Sequence, residues 1–325
     1  MSHPTFTIKT EADGEQSGSS EGWTHNNYRL SPGKVSFEIE TLRFSDNLFI
    51  EHKIFHEGSG RISGQINDGR LSLLFFKIEN SKVLSHSFKE DLMSLSFSGS
   101  SWDATINAPA ESFSLQTNSL VTETILPKEN AELLKKRMSI TGKFQALILP
   151  LNPEAEILLH ALKQGIHIAK SNTSEVETSE KLIWLEQDLI ELASVVLDQF
   201  LTSEPVSLPG GQLTKRKIAQ NIEEMLWQDP ADSEIEISLD TLVDHFNYSR
   251  RQIQMAIEEN FGIGFVALKR IIRLYQAHQK LKEKPKRVQI QQIARDYEFL
   301  NHGRFSGYYK EMFGVEPLKM TKNLK

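Results

Sequence analysis

The sequence contains no cysteine. Disulfides, thiolate metal sites and cysteine nucleophiles are therefore excluded. Long hydrophobic runs are missing too. The longest resembles LSLLFF at 71–76, against the roughly 20 apolar residues that a bilayer span requires. The N-terminal stretch MSHPTFTIKTEADGEQSGSSEGW is polar and acidic and has no basic lead into an apolar core. No secretory signal and no membrane association are expected, and a cytoplasmic location follows.

Catalytic and metal patterns are equally scarce. His52 and His56 with Glu57 could chelate an ion from a helix. The surrounding pattern is that of a strand, which sets residues four apart about 13 Å from one another, too far for one ion. No His-x-His pair is present. The stretch SFSGSSWD carries Ser100, Ser101 and Asp103 but lacks the strand–turn–helix setting of a hydrolase nucleophile. No catalytic residue, metal or cofactor is expected.

The net charge of −6 hides an asymmetry. Residues 249–325 hold 16 Lys/Arg against 7 Asp/Glu, while residues 1–213 hold 18 against 28. A basic end on an acidic chain points to a polyanionic partner for that end.

Hydrophobic spacing divides the chain. Residues 1–25 read as a flexible tail rich in Ser, Gly, Glu and Thr. From Tyr28 to about Ile125 the period is two: KVSFEIETLRF puts Val35, Phe37 and Ile39 on one face, and further short alternating runs follow between turn signals. Strands at this spacing predict a sandwich or a barrel. After Pro127 the period becomes helical. One helix is expected to start near Pro153, and another from an N-cap at Ser179 to Leu201. The apolar stripe of the latter is wider than one packing seam needs. Trp184, Leu185, Leu189 and Leu192 are therefore candidate contacts for a homodimer. TSEPVSLPGGQL (202–213) reads as a linker, and residues 214–325 as a helical domain.

Within that domain, SLDTLVDHFNYSRRQIQMAIEENFG reads as two short helices. Ser238 and Ser249 are the caps and Asn247 is the left-handed turn residue. Ile253, Ala256, Ile257 and Phe261 form the inner face of the second helix. This is a helix-turn-helix unit, and it offers Arg250, Arg251 and Gln254 where the motif meets base edges. IQQIARDYEF followed by LNHGRFSGYYKEMFGVEP repeats the design. Asn301 is its cap, Phe305, Tyr308 or Tyr309, Met312 and Phe313 lie inward, and His302, Arg304 and Lys310 lie outward. Arginine pairs bidentately with guanine and glutamine with adenine. Arg251 and Gln254 are therefore assigned to base readout, with Arg304 and His302 as candidates in a second groove. Arg250, Lys269, Lys310 and KEKPKR (282–287) are phosphate contacts or solvated cations. Ser249 and Asn301 mark helix N-termini able to hold phosphates.

This ordered pair, joined by RIIRLYQAHQKL and closed by GRFSGYYKEMFGVEP, resembles the AraC/XylS family of bacterial transcription regulators over roughly 215–320. The resemblance implies an α+β two-domain chain. A cupin-like N-terminal β-barrel with dimerisation helices (26–201) would precede an all-α domain of two helix-turn-helix units joined by a long helix. It further implies double-stranded promoter DNA, RNA polymerase and a small-molecule effector as partners, with the chain acting as a homodimer and not as an enzyme. The alternative is a ligand-independent regulator controlled by a protein partner or by self-association. Three positions depart from the family pattern. Glu298 stands where the second turn usually has glycine, and Met255 and Gly307 stand where many members carry arginine or another polar residue.

Overall fold

The computed structural model describes residues 4–11, 23–33, 35–45, 48–67, 69–77, 82–83, 86–87, 91–140, 143–171, 175–206, 210–228, 237–282 and 287–320. The strands are β1 (Thr5–Glu11), β2 (Trp23–Arg29), β3 (Ser36–Ser45), β4 (Leu48–Glu57), β5 (Ser59–Ile66), β6 (Leu71–Lys77), β7 (Lys82–Val83), β8 (His86–Ser87), β9 (Leu92–Phe97), β10 (Ser101–Asn107), β11 (Ala110–Thr117), β12 (Ser139–Ile140), β13 (Lys143–Phe144) and β14 (Leu147–Pro150). The helices are α1 (Ser119–Ile125), α2 (Lys128–Met138), α3 (Pro153–Lys170), α4 (Glu175–Thr202), α5 (Gly210–Gln228), α6 (Leu239–Phe246), α7 (Arg250–Phe261), α8 (Phe265–Lys282), α9 (Arg287–Asp296), α10 (His302–Phe313) and α11 (Pro317–Met320).

Two compact units result. The first comprises Met1–Asn27, Ser36–Glu57 and Ile62–Ser207; the second comprises Tyr28–Val35, Gly58–Arg61 and Leu208–Lys325. This differs from a division at a single linker, because two short pieces from the β-rich half of the sequence belong to the helical unit. The tail expectation also changes. Residues 5–11 form β1, paired antiparallel with β3 from Thr5↔Arg43 to Glu11↔Phe37. Alternation in TFTIKTE sufficed for pairing with β3, although the composition read as tail; residues 12–22 lie outside the described part.

A seven-stranded antiparallel sheet of the first unit has the order β1-β3-β4-β11-β6-β9-β14, and a five-stranded sheet has the order β2-β5-β10-β7-β8. Successive side chains on a strand take opposite faces. On one face of the larger sheet, Leu42, Ile50, Leu73, Phe75, Leu95 and Leu115 join Leu158, Leu162, Leu189, Ala193 and Phe200 in a single core with α3 and α4. On the other face, Phe76, Leu92 and Ile148 pack with Trp102, Ala104 and Ile106 of the smaller sheet, and Phe76 stacks on Trp102 at 5.7 Å. That second face is not wholly apolar. Glu51, Ser72, Ser94, Ser96, Ser114 and Gln116 are all buried on it, brought side by side by the register Ser114↔Glu51, Gln116↔Ser72 and Ser72↔Ser96. Gln116 donates to Glu51 at 2.7 Å.

His52 lies on the helix-covered face. It is stacked on Phe113 at 4.0 Å and bonded to Glu40 at 2.8 Å and Glu111 at 2.6 Å. Burial raises the Glu40 carboxyl, but hydrogen bonds from Lys170 and His52 outweigh it and leave the pKa lowered. His52 is thus built into an ion-pair cluster, while His56 is exposed.

Helix α4 begins four residues before the expected cap, so Ser179 lies inside it. Its far end is closed by Arg137, whose guanidinium donates to the carbonyls of Leu201 and Ser203. Helix α5 starts at Gly210 inside the expected linker.

Candidate nucleic-acid interface

The first helix-turn-helix unit is α6 and α7. Ser238 caps α6 in a reciprocal box with Thr241, and Ser249 caps α7 in another with Gln252. Each box satisfies backbone donors that a helix start leaves orphaned. Between them Asn247 adopts φ 54°, ψ 37°, the left-handed conformation that asparagine tolerates best after glycine. Ile253, Ala256, Ile257 and Phe261 are buried, and this fixes the opposite face of α7 outward. Arg250, Arg251, Gln252 and Gln254 are exposed there. Arg250 pairs with Asp240 of α6, so it spans the two helices. Arg251 and Gln254 lie three apart on one helical face near the N-terminal end.

The second unit is α9 and α10. Asn301 caps α10, its Oδ1 accepting from the Arg304 amide at 3.0 Å. Phe305, Tyr309, Met312 and Phe313 are buried, and of the two tyrosines it is Tyr309 that is fully enclosed. Arg304 and Lys310 are exposed, with Lys310 3.6 Å from Glu316. His302 is half-buried, so it presents less surface than its expected outward position implies. A Cβ added at Gly307 would meet nothing within 4 Å, so this position is open and close to whatever approaches the exposed face.

The turn between α9 and α10 closes through paired bonds. The Glu298 amide donates to Arg295 O and the Phe299 amide to Ala294 O, both at 2.8 Å. This Schellman arrangement requires a left-handed residue at Glu298, which has φ 66°. Its carboxylate is held by Lys269 at 2.5 Å and Arg273 at 2.9 Å, both on α8. Lys269, expected as a phosphate contact or a solvated cation, is therefore turned to Glu298 and largely covered. Sequence reasoning missed this clamp because its members lie 25 or more residues apart, with no spacing signal.

An open cleft of about 420 Å³ lies beside it, lined by Asp240, Arg250, Phe265, Val266, Lys269, Arg273, Tyr297 and Glu298 among others. Within it Arg250 pairs with Asp240, and Lys269 and Arg273 pair with Glu298. Arg270, also on the cleft wall, stacks over the Tyr308 ring at 4.5 Å. Of KEKPKR, residues 283–286 lie outside the described part.

The remaining sequence candidates fall in the first unit. Ser100 is buried, and its hydroxyl accepts from the Phe97 amide at 3.0 Å in the β9–β10 connection; Asp103 is buried in β10. On α4, Trp184 is 76% exposed and Leu189 is fully enclosed. Leu185 and Leu192 pack partly against the core. Leu189 thus leaves the set of surface contacts, because the helix buries that row against the sheet.

A Helix-turn-helix domain family matches residues 242–323. This range begins within α6 and runs past α10, so it takes in both units. The chain carries a helix-turn-helix domain. No curated protein matches the sequence. Among solved structures, ToxT from Vibrio cholerae O395 is 14% identical, with 94% of this chain and 99% of that chain covered and a TM-score of 0.29. ToxT bound to (E)-4-(8-methylnaphthalen-1-yl)but-3-enoic acid is 15% identical over 94% and 100%, TM-score 0.29. The C-terminal domain of AraT, a response regulator from Geobacillus stearothermophilus, is 22% identical over 36% and 88%, TM-score 0.28. Superpositions this loose carry no argument, and the helix-turn-helix assignment rests on the domain match and the two capped units.

Proposed function

We propose that this protein is a sequence-specific regulator of transcription. Its AraC-type domain would read promoter DNA with α7 and α10, and its β-rich unit would control that activity. The observation that carries the reading is the pair of capped recognition helices, each buried on one face and polar on the other. In this scheme Arg251 and Gln254 read bases, Arg304 and Lys310 hold backbone, and the N-termini capped by Ser249 and Asn301 face phosphates. RNA polymerase is the further partner such a regulator must meet. The test is selection of bound duplexes by the full chain from a randomised pool. The reading expects a two-part motif and an affinity that falls steeply with salt; no binding at low salt sinks it.

Control by an effector is supported by the interior of the first unit, where Glu51, Ser72, Ser94, Ser96, Ser114 and Gln116 sit between two sheets among Phe76 and Trp102. A core shaped only for packing would favour apolar side chains there. A role for self-association is supported by α4, whose outer stripe runs Trp184, Asp188, Glu191, Val195 with two large hydrophobic residues in the open. Light scattering should show a dimer for the wild-type chain and a weaker one for Trp184→Glu. Identical masses at all concentrations would remove α4 from the account.

A further inference from the structure

The helical unit contains two short pieces from early in the sequence, Tyr28–Val35 and Gly58–Arg61, and both end on recognition helices. An α-helix leaves its last four carbonyls without intrahelical partners. At the end of α10, Gly314 takes the Lys310 carbonyl at 2.8 Å and Gly33 reaches the Glu311 carbonyl at 3.4 Å. The Met312 carbonyl accepts from Arg29 Nη1, which also donates to the Gly33 carbonyl at 3.0 Å. Arg29 is itself buried at 2% exposure, and its backbone amide donates to the Tyr275 hydroxyl at 2.9 Å. A guanidinium at a helix C-terminus also matches the negative end of the dipole. Arg61 does related work at α7: it lies 5.0 Å over the ring of Phe261, the last residue of that helix. It is anchored there by Glu223, which it meets at 2.9 Å and which also accepts from the Tyr28 hydroxyl at 2.7 Å.

We propose that these two pieces are a working part of the DNA-binding unit, with Arg29 the positioning residue that fixes the rear end of α10. The N-terminal turn of α10 meets the duplex only if the helix is held along its length, and this cap lies at the opposite end from Asn301. The inference rests on the DNA-binding reading above and adds to it that the C-terminal region supplies only part of its own helix cap: Gly314 takes one carbonyl, and Gly33 and Arg29 take two more. Any change that shifts Tyr28–Val35 would then shift α10.

The experiment uses the full chain and a duplex selected from the randomised pool, beside shorter duplexes cut to the α7 half or to the α10 half of the site. Arg29→Ala should bind the intact duplex about tenfold more weakly, the scale of a lost charge-assisted hydrogen bond. It should match wild type on the duplex cut to the α7 half, which leaves α10 no backbone to hold. Arg29→Lys, which still carries a donor and a charge, should recover most of the loss. Amide exchange should rise severalfold in Tyr309–Gly314 and stay unchanged in Ile253–Phe261. A loss equal on every duplex, with a fall in the active fraction, would make Arg29 merely structural and overturn the proposal. So would wild-type affinity with unaltered exchange at the end of α10. If the wild-type chain binds no duplex, the DNA reading fails, and the exchange measurement still decides whether Arg29 caps α10.

Discussion

Glu298 illustrates how one residue can be unfavourable by its own conformation and favourable through its partners. A left-handed φ of 66° costs a non-glycine residue roughly 1–2 kcal/mol. Glycine would avoid that cost but could not reach Lys269 and Arg273. Arg273 is almost wholly buried, and losing a carboxylate partner leaves such a charge poorly compensated. The carboxylate is partly exposed, so its contribution is smaller than that of a sealed pair. Glu298→Gly should therefore lower stability, by about 1 kcal/mol net, where the backbone alone would raise it. Urea denaturation decides the sign, and a more stable Glu298→Gly protein would show that the clamp contributes little. The turn is consequently not a weak point of the second unit; what still separates that unit from the first is Gly307 on its open face.

At the scale of elements, α8 and α10 meet through His278. Its ring stacks on Phe313 at 4.2 Å and its Nδ1 bonds the Tyr309 hydroxyl. Burial lowers its pKa from 6.5 to about 3, with Lys282 and Arg29 adding to the shift. A histidine neutral in the fold and basic when unfolded makes the unfolded chain bind more protons as pH falls. Its full contribution to stability is present above pH 6.5 and is lost progressively between pH 6.5 and about 3. From pH 7 to pH 5 the expected loss is about 2 kcal/mol. Denaturation curves at both values should show it in wild type and not in His278→Gln; an equal pH slope in both would refute the assignment. The helices, their caps and their inner faces were legible in the sequence because they depend on residues three or four apart. Ser238, Asn247, Ser249 and Asn301 do what their chemistry predicts. The strap at Tyr28–Val35 was not legible, because Arg29 and Met312 meet across 283 positions. Nor was β1, where a short alternating run lay inside a composition that reads as tail.

Two units of different architecture make up the molecule. The first places polar groups between sheets, and the second holds two recognition helices on one connector, α8. The α7 helix offers Arg251 and Gln254 on an open face, whereas α10 pairs Arg304 with Gly307, a position without a side chain. On this account α7 reads sequence and α10 adds hold. The central claim is that both helices enter DNA with those separate roles, and it is tested most directly by repeating the duplex selection with two variants. Arg251→Ala should relax preference at one base pair, costing about 1–3 kcal/mol on the selected site and little on random DNA. Arg304→Ala should weaken both classes of duplex alike. If Arg304→Ala changes base preference while Arg251→Ala lowers affinity uniformly, the two roles are reversed; if neither variant differs from wild type, these helices are not the DNA-binding surface.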